Sequence, residues 1–550
     1  MSDISQYHKQ RLAQLRTDRS NWEAQWEEAA MRVLPADRDS FSSQGTNRVS
    51  PEGQKKTEYQ FDATAGLAAH RFASVIESLV TPKGSIWHYL TTVDKSLKRN
   101  RRVREYFEDM TTALFRHRYA PGSGFVTNTQ QVYLALGVYG NGSIYIDTPE
   151  DRKGLRYRAI HLSESYFVEN HQHIVDGCYR PFYLTARQAV QQFGKQVPDQ
   201  VLQAAGQPTQ SEKKFQFLHV VVPNTDFTPG MLGPQGKRFA SMYLSIEPEG
   251  MLVRGGYGTF PYAVSRYTQA AGELYGRGPA QHVLPAIKLL NEEKKTNLKQ
   301  GHRAADPILL AHDDGTLDGF VMRSGYLNKG GVNADGKLLV QALPTGNFAI
   351  NEKLMEMERA IINDAFLISL FQILVDNPQM TATEVLERMR EKGMLLAPTA
   401  GRQEEEFLGP MIDREIDVLA SQGLLPPVPQ ILVDARDEIQ YTVEYDSPMS
   451  RMRRAEGAAG FTRTLTTIAE YVKFTGDPAP LDYVNFDRAT PELLDINGVP
   501  VSWTSTEEEV AAKRDERAKA QQAEQLAKAA PGMAQMIKAM PEAAKAAPPA

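Results

Sequence analysis

Three groups of residues have types and spacings that could do chemistry. The run Gly331-Val332-Asn333-Ala334-Asp335-Gly336-Lys337-Leu338 matches the G-x-x-x-x-G-K of a phosphate loop. Leu338, however, has no hydroxyl for magnesium, and the following Leu339-Val340-Gln341-Ala342-Leu343-Pro344 reads as a strand, where a phosphate cradle needs a helix N-terminus. A hairpin turn is the ordinary reading. His171 and His173, with Glu169 and Asp176 nearby, would share one face of a strand, yet no HExxH or cysteine–histidine grid accompanies them, so surface polar residues are the ordinary reading. The single cysteine, Cys178, lies two residues before Arg180, which could lower its pKa, but no partner histidine can be assigned and a packing role fits better. His70, Arg71, His117 and Arg118, on helices, read as surface residues. No dinucleotide fingerprint is present. Motifs therefore support no catalytic site, no metal and no cofactor.

The elements that must position any site follow from periodicity. A helix is predicted over 5–34, carrying Trp22 and Trp26 one turn apart and ending at Pro35. Residues 36–60 read as a polar loop or arm. A helix starts at Asp62 with Leu67, Phe72, Val75, Ile76 and Leu79 as its apolar set, and others follow at about 96–119 and 125–137. The period then changes to two, with Asn141-Gly142 as a turn signal and strands at 143–146, 156–160, 165–169, 214–222, 238–246 and 259–267, interrupted by a helix at 185–193. The expected class is α+β with a mainly antiparallel sheet.

The middle of the chain is different. A long helix is predicted over 278–304, with Val283, Ile287, Leu290 and Leu298 as one stripe and Lys288, Glu292, Lys295 and Lys299 on another face. Glycine turns and short strands fill 307–346. A second long helix is expected over 348–374, with Leu354, Met357, Ile361, Ala365 and Ile368 as its apolar stripe and Glu352, Glu356, Arg359 and Asn363 as its polar edge. A loop, Val375-Asp376-Asn377-Pro378-Gln379-Met380, leads into a third helix running to about Gly423, with Gly393, Pro398 and Gly401 expected to kink it. Strands are predicted at 429–433 and 438–445, helices over 450–475, and an exposed helix with a fraying Ala-Pro tail over 504–550. The two long helices could close as a hairpin within one chain or serve as staves of a ring, with polar sides facing a channel. Periodicity alone leaves both open.

Composition bounds the partners. The 550 residues hold 62 basic and 67 acidic side chains, a net of −5, which excludes wrapping DNA through bulk positive charge. One cysteine allows no intramolecular disulfide. The most apolar window, Ala360 to Val375, contains Asn363, Asp364 and Gln372 and is shorter than the roughly 20 residues of a bilayer span, so no membrane partner is expected. The N-terminal residues lack the apolar core of a signal peptide.

Three stretches resemble the head-to-tail connecting, or portal, proteins of short-tailed (podovirus) bacteriophages: Leu274–Gly315 (LYGRGPAQHVLPAIKLLNEEKK…), Asp376–Pro427 (DNPQMTATEVLERMREKG…) and Gln60–Leu90 (QFDATAGLAAHRF…). The similarity runs from roughly residue 5 to about 500. The MTATEV motif after a proline loop, coupled to YGRGPA upstream, carries it most specifically. The resemblance implies a ring, usually of twelve copies, at one vertex of the viral head, through which double-stranded DNA is packaged and ejected without sequence preference. It implies docking to the terminase, the tail adaptor, and the major capsid and scaffolding proteins, a virion location after assembly in the host cytoplasm, and no catalysis. It divides the chain into a wing (1–275 and 381–448), a first stem helix (276–304, helical over 278–304), a β-rich clip (305–347), a second stem helix (348–374), a tunnel loop (375–380) and a helical crown (449–503); the flexible Ala-rich tail (504–550) lies outside the resemblance and is read from composition.

By that pattern Val375, Asp376, Asn377, Pro378, Gln379 and Met380 lie nearest the DNA, and Lys288, Lys295, Lys299, Glu352, Glu356 and Asn363 are candidates to line the channel. Repeated around a ring, each side chain becomes a belt of charge; lysine belts hold phosphate transiently and acidic belts let it slide. Solvated surface, or Glu–Lys bridges between neighbours, is the plainer account of the same residues. Twelve copies would carry a net charge of roughly −60, which suits a conduit that must not grip. A tail-tube or adaptor protein is a second structural reading, although such chains are shorter. A catalytic component of the packaging machinery would need the nucleotide or metal site that is missing above.

Overall fold

The structure is a computed structural model that describes residues 2–41, 53–94, 97–311, 321, 323, 325–327, 329, 331–343, 348–368, 398–434, 441–446, 448–477, 479–496, 503–505 and 509–522. The class is α+β, as expected. The chain divides into two compact units, one of Met1–Trp87 with Ala113–Leu425 and one of His88–Thr112 with Pro426–Ala550.

The first unit is built on two antiparallel sheets. Five strands, Tyr166–Glu169, Val175–Thr185, Lys214–Pro223, Phe239–Ser245 and Gly250–Tyr257, pair as a meander in sequence order. A three-stranded sheet places Asn141–Asp147 between Arg156–Ile160 and Tyr262–Arg266. One face of the meander is covered by Ala186–Phe193, which opens with a reciprocal cap: the Thr185 hydroxyl accepts from the Gln188 N–H, and the Gln188 carbonyl accepts from the Thr185 N–H. Phe182, Phe193, Phe215 and Phe217 fill the space beneath it.

Several expectations change. The helix predicted over 5–34 is two helices, Ser2–Asp18 and Ser20–Val33. They part at Arg19, whose buried guanidinium donates to the carbonyls of Leu162 and Ser165 at 3.1 and 2.5 Å; satisfying that charge fixes the chain direction there. Trp26 is fully buried and stacks on Trp22, as expected of core residues. Asn141-Gly142 is not a turn but the start of a strand. Gly140 closes the preceding helix, Phe125–Tyr139, in the left-handed region at φ 72°, and a Cβ there would lie within 2.4 Å of the Arg277–Gly278 backbone. The Asn141 amide then pairs with the backbone of Gly276 in both directions, at 2.8 Å each. The glycines of Tyr275-Gly276-Arg277-Gly278-Pro279-Ala280 are thus explained by close backbone approach.

Two strands of the meander, Val175–Thr185 and Gly250–Tyr257, fell outside the sequence-based set, as did His88–Thr92. The helix predicted over 278–304 begins with a separate turn, Pro279–His282, before Leu284–Ala305, because Pro285 lacks the N–H that would continue the first turn. The second helix is described as Phe348–Ala365. Of the expected apolar stripe, Ile368 is buried, whereas Leu354, Met357 and Ile361 are exposed; Met355, Ile362 and Phe366 are the other buried residues of this segment. Between the helices, Leu309–Ala311 pairs with Val340–Ala342, and Gly331 to Leu338 forms a hairpin turn closed from Asn333 to Lys337, so the phosphate-loop pattern is a turn. Residues 398–423 carry a π-helical turn, Gln403–Leu408, before Gly409–Ser421. Gln403 is buried there, donating to the Arg266 carbonyl and accepting from Ser265, which anchors the widened turn.

In the second unit His88–Thr92 pairs antiparallel with Tyr441–Tyr445. Residues 430–434, predicted as part of a strand, are a short helix, Gln430–Asp434. A single helix, Pro448–Thr475, occupies the region expected to hold a bundle, and Phe486–Ile496 follows it. Residues 509–522 are helical and exposed.

Candidate conduit site on the helical hairpin

Leu284–Ala305 and Phe348–Ala365 pack side by side and run antiparallel. Asn351 donates to Gln300 across them at 2.9 Å, and Glu358 lies close to Glu293. The hairpin is held to the rest of its unit at Phe61-Asp62. Asn291, buried in the first helix, accepts the backbone N–H groups of Phe61 and Asp62 at 2.7 and 3.1 Å and donates to Ile287 O at 2.8 Å. Arg359, on the second helix, places its Nη2 2.7 Å from the Asp62 carboxylate, which also accepts from Thr64 N–H. Burial alone would raise the Asp62 carboxyl, but the hydrogen bonds from Thr64 and Arg359 overcome it and hold the group below the ordinary range. One short segment therefore clasps both helices and fixes their rotation.

Against this frame the candidate residues separate. Lys288 reaches Glu28 of the Ser20–Val33 helix at 2.6 Å. The Lys295 ammonium sits 5.6 Å from the centre of the Phe61 ring and 3.5 Å from Glu292, and Lys299 is exposed one turn further on. These three share one edge of the first helix. Glu352 and Glu356 are exposed and Asn363 is half-buried, all on the side of the second helix that carries Arg359. Lys288, Lys295 and Lys299 thus lie on one helix and Glu352, Glu356 and Asn363 on the other, and the lysine contacts seen here are to Glu28, Glu292 and Phe61. Val375, Asp376, Asn377, Pro378, Gln379 and Met380 lie outside the described residues.

The other chemical candidates resolve as packing and turns. Cys178 is buried and its thiol is pushed up to about 12 by burial, which leaves it inert. His171 and His173 lie in the turn between two strands, and Glu169 beside them is committed to Arg266. Among the described residues no group of histidine, cysteine and carboxylate side chains could hold a metal ion. None of their helices is long and apolar enough to cross a membrane. Asn291 was missed by the periodicity argument; its only signal was an amide between apolar neighbours on the buried face.

Comparison with known proteins gives the family. The chain matches the family described as bacteriophage head to tail connecting protein over residues 5–504. The portal protein of Salmonella phage epsilon15 is 24% identical over 539 residues, which cover 96% of this chain and 94% of that relative. The probable portal protein of Bordetella phage BPP-1 is 25% identical over 526 residues, covering 94% of this chain and 92% of the relative. With an antiparallel pair of long helices joined through a small β-rich excursion, and a family match across nearly its whole length, the chain belongs to the bacteriophage head to tail connecting proteins and is a structural portal protein of the podovirus type.

Proposed function

We propose that the chain assembles into a ring of twelve copies at one vertex of the viral head and forms the channel through which double-stranded DNA enters and leaves. The observation that carries this reading is the clasped hairpin within a chain that matches the connector family from residue 5 to residue 504. In the ring, 276–304 and 348–374 are the stem, 305–347 the clip, 1–275 with 381–448 the wing, and 449–503 the crown. The clip meets the terminase during packaging and the tail adaptor afterwards; the wing meets the major capsid and scaffolding proteins. Assembly takes place in the host cytoplasm and the finished ring resides in the virion.

The reading includes no catalysis. Lys337, the residue that a nucleotide site would need, sits in an exposed hairpin turn, so the free energy of packaging comes from the separate ATP-driven terminase. The DNA-proximal residues are the loop 375–380, with Lys288, Lys295, Lys299, Glu352, Glu356 and Asn363 contributing rings of charge along the stem. A chain lacking Asp376–Gln379, tested in a packaging reaction, should assemble normally but package or retain less DNA. Loss of assembly would make the loop an oligomerisation element, and unchanged packaging would remove it from the channel.

A further inference from the structure

The hairpin has two broad sides, and they differ. The clasp defines the first: Asn291 and Arg359 both reach Asp62 there. On the first helix this side continues from Asn291 through Lys294, Leu298 and Gly301, at steps of three, four and three residues, with His302 beside Gly301. Beyond the clasp it opens into a depression of about 340 Å³ bordered by Lys294, Asn297, Leu298, Gly301 and His302. A Cβ built on Gly301 would meet nothing within 4 Å. The opposite side is a ridge. Leu354, Met357 and Ile361 lie half a turn from Arg359 and are 44%, 57% and 47% exposed. Leu289 extends the ridge on the first helix, half a turn from Ile287 and Asn291, and is 48% exposed.

Four large apolar side chains thus form one row on a hairpin whose other side carries an open depression, and the two surfaces are of complementary form. Register supports the match. Asn351 stands opposite Gln300, so Leu354 and Met357 lie at the height of Asn297 and Lys294. A rotation axis running along the hairpin brings the ridge of one copy to the level of the depression on the next. Charge supports it too. Glu293 and Glu358 face each other across the hairpin near the ridge, where burial and the like charge raise the Glu293 carboxyl. Lys294, at the rim of the depression, stands at that same height.

Resting on the ring proposed above, we infer that the Leu289–Leu354–Met357–Ile361 ridge of each chain seats in the Lys294–Leu298–Gly301 depression of a second copy of the same chain. The two surfaces are different, so the contact is heterologous and repeats around a closed ring. Lys294 of one copy then neutralises the Glu293–Glu358 pair of the next.

Single-cysteine chemistry tests this cleanly, because the one native cysteine is buried with a raised thiol pKa. The exposed residues Leu298 and Leu354 are replaced separately, as Leu298→Cys and Leu354→Cys, and together in one chain. After mild oxidation the two single variants should each remain monomeric on a denaturing gel. Their mixture, assembled together, should give covalent dimers, and the double variant a ladder of multimers. Lys294→Glu should weaken assembly, and Glu358→Lys in the same chain should restore it. If imaging shows rings of the double variant that yield no intermolecular disulfide, the ridge-and-depression contact is wrong while the ring stands. If the unmodified chain forms no ring at all, the underlying portal reading fails.

Discussion

Arg118 was expected at the surface from its position on a charged helix, yet it has no exposed area. Its Nη2 lies 2.5 Å and its Nε 3.1 Å from the two oxygens of Glu415, and Tyr157 donates to the same carboxylate at 2.6 Å. Trp87 and Phe115 flank the guanidinium at 4.5 and 4.7 Å. No periodicity argument reaches such a pair, because its members are 297 residues apart in sequence. Removing one partner strands a buried charge, so Glu415→Ala should destabilise the chain by about 3–5 kcal/mol, whereas the joint replacement Arg118→Met, Glu415→Leu and Tyr157→Phe, which leaves no charge and no hydroxyl behind, should be nearly neutral. Urea midpoints of the two variants and the parent chain check this. Asp62 gives a pH signature. Its carboxyl is held below the unfolded value near 3.9, so the stability it contributes is full above that value and is lost as pH falls through the lower, folded value. Asp62→Asn should lose that part of the acid dependence. An unchanged acid transition would show that the carboxylate does not hold the clasp.

The elements were largely legible, and the exceptions have physical causes. Val175–Thr185 was obscured by Gly177 and Pro181, residues that normally interrupt strands. Pro181 is tolerated because it pairs with Leu218 on one side and stands beyond the end of the Tyr166–Glu169 strand on the other. The stripe of Phe348–Ala365 was misassigned because that helix is apolar on two faces. Spacing shows that Leu354, Met357 and Ile361 share a face, but not which face the fold buries. Contacts such as Arg359 to Asp62, made across 297 residues, decide that rotation. The helical hairpin was legible as a pair of helices with charged edges; its clasp was not. Asn291→Leu should leave the N–H groups of Phe61 and Asp62 without their acceptor and cost about 2 kcal/mol, while Asn291→Ser, which keeps a neutral acceptor, should cost less. Thermal unfolding of the two variants separates packing from hydrogen bonding.

At the scale of the whole molecule, a net charge of −5 and a family match over residues 5–504 belong to one account. A conduit for a polyanion is best served by weak, unspecific contacts, since tight phosphate contacts would stall the strand. Both helices of the hairpin carry charges of both signs, and its exposed apolar row has no partner among the described residues. In the proposed ring a neighbouring copy supplies that partner. The most direct test is imaging of the purified chain combined with native mass measurement. The account predicts a ring of about twelve copies around a channel wide enough for a DNA duplex, roughly 20 Å or more. A chain that remains monomeric or dimeric at every concentration and salt condition would contradict it.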